Sequence, residues 1–259
     1  MCTVIALHRC VPGFPLVLAA NRDEFFERPA EGIALRETTS GMILAPRDQR
    51  AGGTWLGLNA WGLLAAVTNV SGQRIDPSRR SRGLLVLDAL SARRASDAAE
   101  RIDALPADAY NPFNLLIADR DTAHWISCIR VPQRIQLAPG VHVIGNTRAG
   151  AETPRIARQR QLAEEAARAP TGRVLDRLAQ LCRDHADGQA REATCVHGDR
   201  YGTRSSTLLQ VGEESGAGEL RHLEGPPCNS EYQDFTPLLQ RLGLESSSAA
   251  GGFTVRSRS

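Results

Sequence analysis

The chain has 259 residues, 42% of them hydrophobic and 23% charged, which is ordinary for a globular protein and excludes wholesale disorder. Its 31 basic residues, all arginine, face 29 acidic ones for a net charge of +2, so the composition carries no nucleic-acid footprint. The longest apolar runs are about half of the ~20 residues that a bilayer-spanning helix needs, which excludes an integral membrane segment.

In chain order, residues 3 to 7 (TVIAL) and 15 to 20 (PLVLAA) are short apolar runs joined by a turn containing Pro and Gly, and they read as a buried hairpin. The stretch FPLVLAA ends in small residues, as a signal peptide does. Against that, Val11-Pro12-Gly13 interrupts it and only His8 and Arg9 precede it, so a cytoplasmic chain is expected. Further strands are predicted at 41 to 45, 54 to 58 and 62 to 69, the last two linked by a turn at Asn59-Ala60-Trp61-Gly62. An Arg-rich loop runs from Ser71 to Arg82, and helices follow over 83 to 92 and 96 to 105, the second starting at Ser96-Asp97.

A second group of strands is predicted at 113 to 118, 123 to 130, 134 to 138 and 141 to 145. Pro154 opens a helix to about Ala169, and Gly172 leads into another with Val174, Leu175, Leu178 and Leu181 on one face. The last strands fall at 206 to 211 and 219 to 224, and the Ser/Gly/Ala/Arg-rich stretch from Ser246 to Ser259 reads as a frayed tail. Two strand groups separated by helix pairs imply an α+β domain over residues 1–245, with stacked sheets and helices outside.

Cys2 is the most informative residue. With Met1 trimmed, as is usual before a residue as small as Cys, the chain begins with a free α-amine on a cysteine. An α-amine ionises near 7.7–8.0 and a thiol near 8.5, so the amine can act as general base for its own thiol. Asn21-Arg22-Asp23-Glu24 ends the strand expected to pair with the first one. An antiparallel hairpin therefore brings Arg22 and Asp23 beside Cys2, the guanidinium to lower the thiol pKa and the carboxylate to hold the amine. Asn69 and Asn146 end apolar strands, and Arg204 precedes one; an Asn amide at such a place suits an oxyanion or a substrate carbonyl.

The residues Met1-Cys2, L-A-A-N-R-D-E-F at 18 to 25, Arg28-Pro29, Gly52-Gly53-Thr54-Trp55-Leu56-Gly57, Ala66-Val67-Thr68-Asn69, Phe113-Asn114-Leu115 and Tyr201-Gly202-Thr203-Arg204 resemble the NRDE family. That family includes eukaryotic transport and Golgi organisation protein 2 and bacterial homologues. The resemblance implies an N-terminal-nucleophile hydrolase fold, a four-layer αββα sandwich of two antiparallel sheets, of the choloylglycine hydrolase and penicillin V acylase type. It implies Cys2 as nucleophile, Arg22 and Asp23 beside it, Asn69 and Asn146 as oxyanion and amine-orienting residues, and Arg204 completing the site. In those hydrolases the Arg and the Asp lie three apart, whereas here they are adjacent, so Asp23 and Glu24 both stand for the carboxylate. The activity implied is cleavage of a linear amide of a small molecule, with no cofactor and no metal. The alternative is a non-catalytic carrier that holds a hydrophobic ligand, haem or a lipid, in the same pocket.

Among the six cysteines there is no C-x-x-C pair and no density of a disulfide scaffold. Cys182, His185, Cys195 and His197 could form a zinc site, but their spacing is poor and Cys182 falls on a predicted apolar helix face, so a structural role is preferred. His124, His142 and His222 lie inside strands and read as partly buried residues. Arg74, Arg79, Arg80 and Arg82 read as a solvated loop.

Overall fold

The computed structural model describes residues 2–214 and 217–244. The tail expected after Ser246 lies outside the described residues. Thirteen strands form two antiparallel sheets among these residues. One has six strands: β1 (Thr3–Val11), β2 (Phe14–Phe25), β10 (Gly140–Ile144), β11 (Tyr201–Val211), β12 (Gly218–Glu224) and β13 (Gln233–Asp234), in the order β10-β1-β2-β11-β12-β13. The other holds β3 (Ala30–Thr38), β4 (Gly41–Asp48), β5 (Leu56–Asn59), β6 (Leu64–Asn69), β7 (Phe113–Ala118), β8 (Ala123–Cys128) and β9 (Pro132–Leu137), side by side in chain order. The apolar stretch at 14 to 20 is thus part of β2, a buried central strand. Among the described residues no helix is long and apolar enough to cross a membrane.

Strand alternation sorts the apolar residues into layers. Val4, Ala6, Leu16 and Leu18 of the first sheet meet Leu44, Leu58, Leu64, Ala66 and Leu116 of the second. The opposite face of the first sheet, with Ile5, Leu7, Val17 and Ala19, packs on α3 (Pro154–Ala167) and α4 (Val174–Cys182). The outer face of the second sheet, with Ala65, Val67, Leu115 and Ile117, packs on α1 (Arg82–Leu90) and α2 (Ala95–Asp103). The result is a helix–sheet–sheet–helix sandwich, with α5 (Thr236–Leu242) closing one edge of the inner layer.

Two helix starts show what local reading can reach. Thr153 caps α3 by accepting from the Ile156 N–H, with Pro154 in the first turn as its sequence signals. By contrast, α2 begins at Ala95 rather than at Ser96-Asp97, because the Ala95 N–H donates to Asp119 Oδ2 at 2.7 Å from the loop after β7. That cap is supplied across the fold. Strand β3 was not expected either, since its half-buried positions lack a clean apolar–polar alternation.

Asn59, buried at the end of β5, joins the second sheet to α1. Its Nδ2 donates to the carbonyls of Leu90 at 2.9 Å and Ala92 at 2.8 Å, while its Oδ1 accepts from the N–H groups of Trp61 and Leu63. Asn59→Ala leaves these buried partners unpaired. The expected loss is on the order of 3 kcal/mol, read as a lowered midpoint in equilibrium urea unfolding.

Candidate active site

The pairing of β1 with β2 sets Thr3 opposite Asn21 and Val4 opposite Ala20. One step back along β1 is one step forward along β2, so Cys2 falls against Arg22. The Cys2 thiol donates to the Asp23 carbonyl at 3.5 Å, and the Tyr201 hydroxyl donates to the same oxygen at 3.0 Å.

Alternation then splits the polar end of β2 between two faces. Arg22 projects between the sheets, its guanidinium 4.1 Å from the centre of the Trp55 ring and 4.0 Å from Glu24. Asn21 and Asp23 project into the helical layer. Asn21 Nδ2 donates to the carbonyls of Cys182 and Thr194. The Asp23 side chain is fully buried; its Oδ1 accepts from Thr203 Oγ1 at 2.7 Å and its Oδ2 lies 3.7 Å from Arg155 of α3. Of the two candidate carboxylates, Asp23 is the buried one beside Cys2. Glu24 is part-exposed and bridges Arg22 and Arg28.

Burial dominates the electrostatics. It lifts the Cys2 thiol above its ordinary pKa; the Asp23 carboxylate adds to the rise, and Arg22 opposes both as a weaker influence. Arg22 lowers the thiol pKa as the sequence implies, but burial outweighs it and the net shift is upward. Burial likewise pushes the Asp23 carboxyl up to about 6, against the pull of Thr203 and Arg155. Arg82 and Arg155 are themselves depressed by burial and feel the charge of Cys2, so the thiol sits among three guanidiniums rather than one. Arg82 leaves the solvated loop expected for it because α1 begins against the Gly53 backbone. A Cβ on Gly53 would stand 2.3 Å from the Gly83 carbonyl carbon, so that approach requires glycine.

The opposite wall is the turn after β10. Thr68 Oγ1 donates to the Gly145 carbonyl at 2.6 Å, and Asn114 Nδ2 donates to the carbonyls of Gly145 and Thr147 at 3.1 and 2.8 Å. Asn146 Nδ2 donates to the Asn69 carbonyl at 2.6 Å, and the Ser71 N–H returns a bond to the Asn146 carbonyl. This turn and α3 enclose a cavity of about 360 Å³ lined by Cys2, Asn146, Thr147, Arg155, Gln159 and Arg191 among others. Two buried polar atoms in that wall, Thr147 Oγ1 and Gln159 Oε1, have no hydrogen-bond partner among the described residues.

The six residues singled out in the sequence are thus distributed unevenly. Cys2, Arg22 and Asp23 are together, Asn146 lines the same cavity as Cys2, and Asn69 joins them through its carbonyl while its side chain is exposed at the rim. Arg204 occupies the bulge between Thr203 and Ser205, on the Arg22 side of the rim. Its guanidinium donates to the carbonyls of Phe25 and Arg28 rather than reaching the thiol. Sequence reasoning missed Arg155 and Gln159, which arrive from distant elements, and gave Thr203 and Asn114 no role beyond their motifs. Cys182 is buried in the layer between α4 and the first sheet, whereas His185, Cys195 and His197 meet Cys228 instead. Arg79 and Arg80 bind Asp108 and Asp88, respectively. His222 is buried against Thr207, His124 is buried in β8, and His142 bonds the Ala138 carbonyl.

A family model described as Transport and Golgi organisation 2 matches residues 1–224. The chain is 34% identical to the Transport and Golgi organization protein 2 homolog of Bos taurus, over 76% of this chain and 82% of that protein. It is 32% identical to the Homo sapiens homolog, over the same shares of 76% and 82%. Among solved structures, a Caenorhabditis elegans N-acylethanolamine-hydrolyzing acid amidase ortholog superposes with a TM-score of 0.52 at 10% identity, covering 80% of this chain and 91% of that one. At that identity the likeness is one of fold, the N-terminal-nucleophile hydrolase sandwich.

Opposite charges beside one thiol give opposite tests. Arg22→Leu is expected to raise the pH midpoint of Cys2 alkylation and Asp23→Asn to lower it, each by up to about one pH unit. Unchanged midpoints would assign both residues to structure alone. The raised Asp23 carboxyl also binds its proton more tightly folded than unfolded. Its contribution to stability is therefore full below about pH 3.9 and lost as pH rises through about 6. Relative to wild type, Asp23→Asn is expected to gain stability between pH 4 and 7, by up to about 3 kcal/mol in urea unfolding at the two pH values.

Proposed function

The chain belongs to the transport and Golgi organisation 2 family, and from the surroundings of Cys2 we propose that it is an N-terminal cysteine amidohydrolase acting on a linear amide of a small anionic molecule. The observation that carries this reading is the half-buried Cys2 thiol, set by the first hairpin at the wall of a cavity and beside a buried carboxylate. Its raised pKa keeps it protonated at neutral pH, so the thiol needs a base to become a nucleophile. Removal of Met1 supplies that base on the same residue.

In the proposed cycle the Cys2 α-amine takes the thiol proton as sulfur attacks the carbonyl carbon of the substrate. The negative charge moves to the carbonyl oxygen. Asn146 Nδ2 gives one proton to the Asn69 carbonyl, which fixes its orientation, and its second amide proton, at the wall of the cavity that Cys2 lines, is assigned to the oxyanion. The ammonium then protonates the leaving nitrogen, the C–N bond breaks, and a thioester remains on Cys2. Water, deprotonated by the amine, attacks the thioester, and the carboxylic acid leaves with the thiol restored. Asp23 stabilises the ammonium stage, in which the positive charge faces its carboxylate.

An anionic substrate follows from the arginines. The Arg82 guanidinium donates to the Pro112 carbonyl and that of Arg204 to two backbone carbonyls, which do not neutralise their charge. Both face the region around Cys2 and Arg22. The carrier reading has one observation in its favour, the exposed rings of Phe25 and Phe26 at the end of β2.

Two measurements test the proposal. Intact mass is expected to show a chain lacking Met1, with a thiol reagent modifying Cys2 at mildly alkaline pH. A panel of N-acyl amino acids and uncharged N-acyl amides is expected to show turnover biased toward the carboxylates, falling about 10³-fold or more in Cys2→Ala. Arg82→Gln is expected to raise KM for the carboxylates alone. Retained Met1, turnover that survives Cys2→Ala, or stoichiometric binding of an acyl lipid without turnover would overturn the enzyme reading.

A further inference from the structure

Away from the Cys2 cavity, three separate stretches of chain bring four side chains to one point. His185 follows α4, Cys195 and His197 lie in the segment leading to β11, and Cys228 lies in the turn after β12. The His185 and His197 Nε2 atoms are 3.1 Å apart, and the two sulfurs are 3.6 Å apart. His197 Nε2 lies 3.5 Å from Cys195 Sγ and 3.2 Å from Cys228 Sγ. All four donor atoms lie within 4.8 Å of one another.

Hydrogen bonding does not account for this packing. One ring nitrogen offers either a single proton or a single lone pair, yet His197 Nε2 faces three groups at once. A disulfide does not account for it either, since bonded sulfurs stand about 2.05 Å apart. A cation at the centre satisfies all four donors together. Tetrahedral zinc, with Zn–S near 2.3 Å and Zn–N near 2.05 Å, requires edges of about 3.8 Å between sulfurs, about 3.6 Å between sulfur and nitrogen, and about 3.4 Å between nitrogens. The edges of 3.1 Å between nitrogens, 3.6 Å between sulfurs, and 3.5 and 3.2 Å from His197 to the sulfurs match these within a few tenths of an ångström, and those from His185 to the sulfurs lie within 4.8 Å.

We propose that His185, Cys195, His197 and Cys228 bind one Zn²⁺ as a closed structural site. Two thiolates and two imidazoles in a tetrahedron favour zinc over the hard cations, which take oxygen ligands. Four protein ligands leave no open position, so the ion fastens the fold and does no chemistry. The backbone supports the assignment: Ala186 and Asp187, directly after His185, both have positive φ, at 49° and 53°, a strain for non-glycine residues that a ligand bond from His185 offsets.

The clamp connects to the candidate active site. Val196, between two of the ligands, donates its N–H to Thr203 Oγ1 at 2.9 Å, and that hydroxyl donates to Asp23 Oδ1. Thr194, one residue before Cys195, accepts from Asn21 through its carbonyl. Zinc at this point holds the segment that orders Asn21 and Asp23, and it does so whether or not Cys2 is a nucleophile.

The test uses the full chain, purified with its thiols reduced. Elemental analysis is expected to give one zinc per chain. Replacement by Co²⁺ is expected to give the intense visible bands of a tetrahedral thiolate site. Cys195→Ser and Cys228→Ser are expected to abolish these bands, while Cys182→Ser and Cys2→Ala retain them. His185→Ala alters an exposed side chain, so it keeps the fold as read by circular dichroism; it is expected to weaken zinc at least about tenfold in competition with a chromophoric chelator. Less than a fifth of an equivalent after zinc is supplied would overturn the site. So would bands that persist in Cys195→Ser and Cys228→Ser, or a Cys195–Cys228 disulfide in chain isolated without oxidant.

Discussion

The antiparallel register that pairs Thr3 with Asn21 decides where every polar group of the first hairpin points. Side chains alternate along a strand, so a slip of one residue would send Asp23 between the sheets and Arg22 into the helical layer. The apolar residues fix the register against that slip. Val4, Ala6, Leu16 and Leu18 fill the layer between the sheets, and Ile5, Leu7, Val17 and Ala19 fill the layer beneath the helices. Two sets of buried apolar side chains on one hairpin are thereby what places a carboxylate beside a thiol. The hydrophobic layers position these polar groups without touching them.

The buried Asp23 carboxyl is the costliest part of that arrangement. Strand pairing alone leaves it in a low-dielectric layer, and what makes the position tolerable comes from elsewhere in the chain: Thr203 of β11, Arg155 of α3, and the charge partners around them. The second sheet contributes in a different way. Thr68 and Asn114 reach across to the turn after β10 and hold Gly145 and Thr147, which carries Asn146 to the cavity wall. Asn114 is itself oriented by the Trp125 indole N–H, donating to its Oδ1 at 3.1 Å. The cavity is therefore built at the open end of the sandwich, where polar side chains tie together two sheets whose centres are held by apolar packing.

Local signals made much of this legible. The hairpin, the polar end of β2, the helix opened by Pro154 and the strand ending at Asn69 all depend on neighbours in sequence, and the proximity of Cys2 to Arg22 and Asp23 follows from the hairpin alone. The direction of the Cys2 pKa shift did not follow, because charge proximity is visible in sequence and burial is not. Arg155 stayed unread, Arg82 read as a solvated loop residue and Thr203 had no role beyond its motif, because each enters the site from a different element, through packing that no spacing rule encodes. Asn114 stood in a recognisable motif, yet as an interior strand residue it gave no sign that its amide grips the turn after β10. The cluster around His197 shows the same limit. Three of its members are close in sequence, but Cys182 occupies an apolar helix face, and the fourth member, Cys228, comes from beyond two further strands.

In the proposed cycle everything turns on the α-amine of Cys2 serving as the base for its own thiol. The most direct test compares two otherwise identical chains, one released by a protease so that it begins at Cys2 and one that retains Met1. Both would be assayed at neutral pH with an N-acyl amino acid that the Cys2-first chain hydrolyses. The expected result is hydrolysis by the chain that begins at Cys2 and a loss of about 10²-fold or more when Met1 remains, since the amide nitrogen of a Met1–Cys2 bond cannot accept a proton. Equal rates in the two chains would contradict the account.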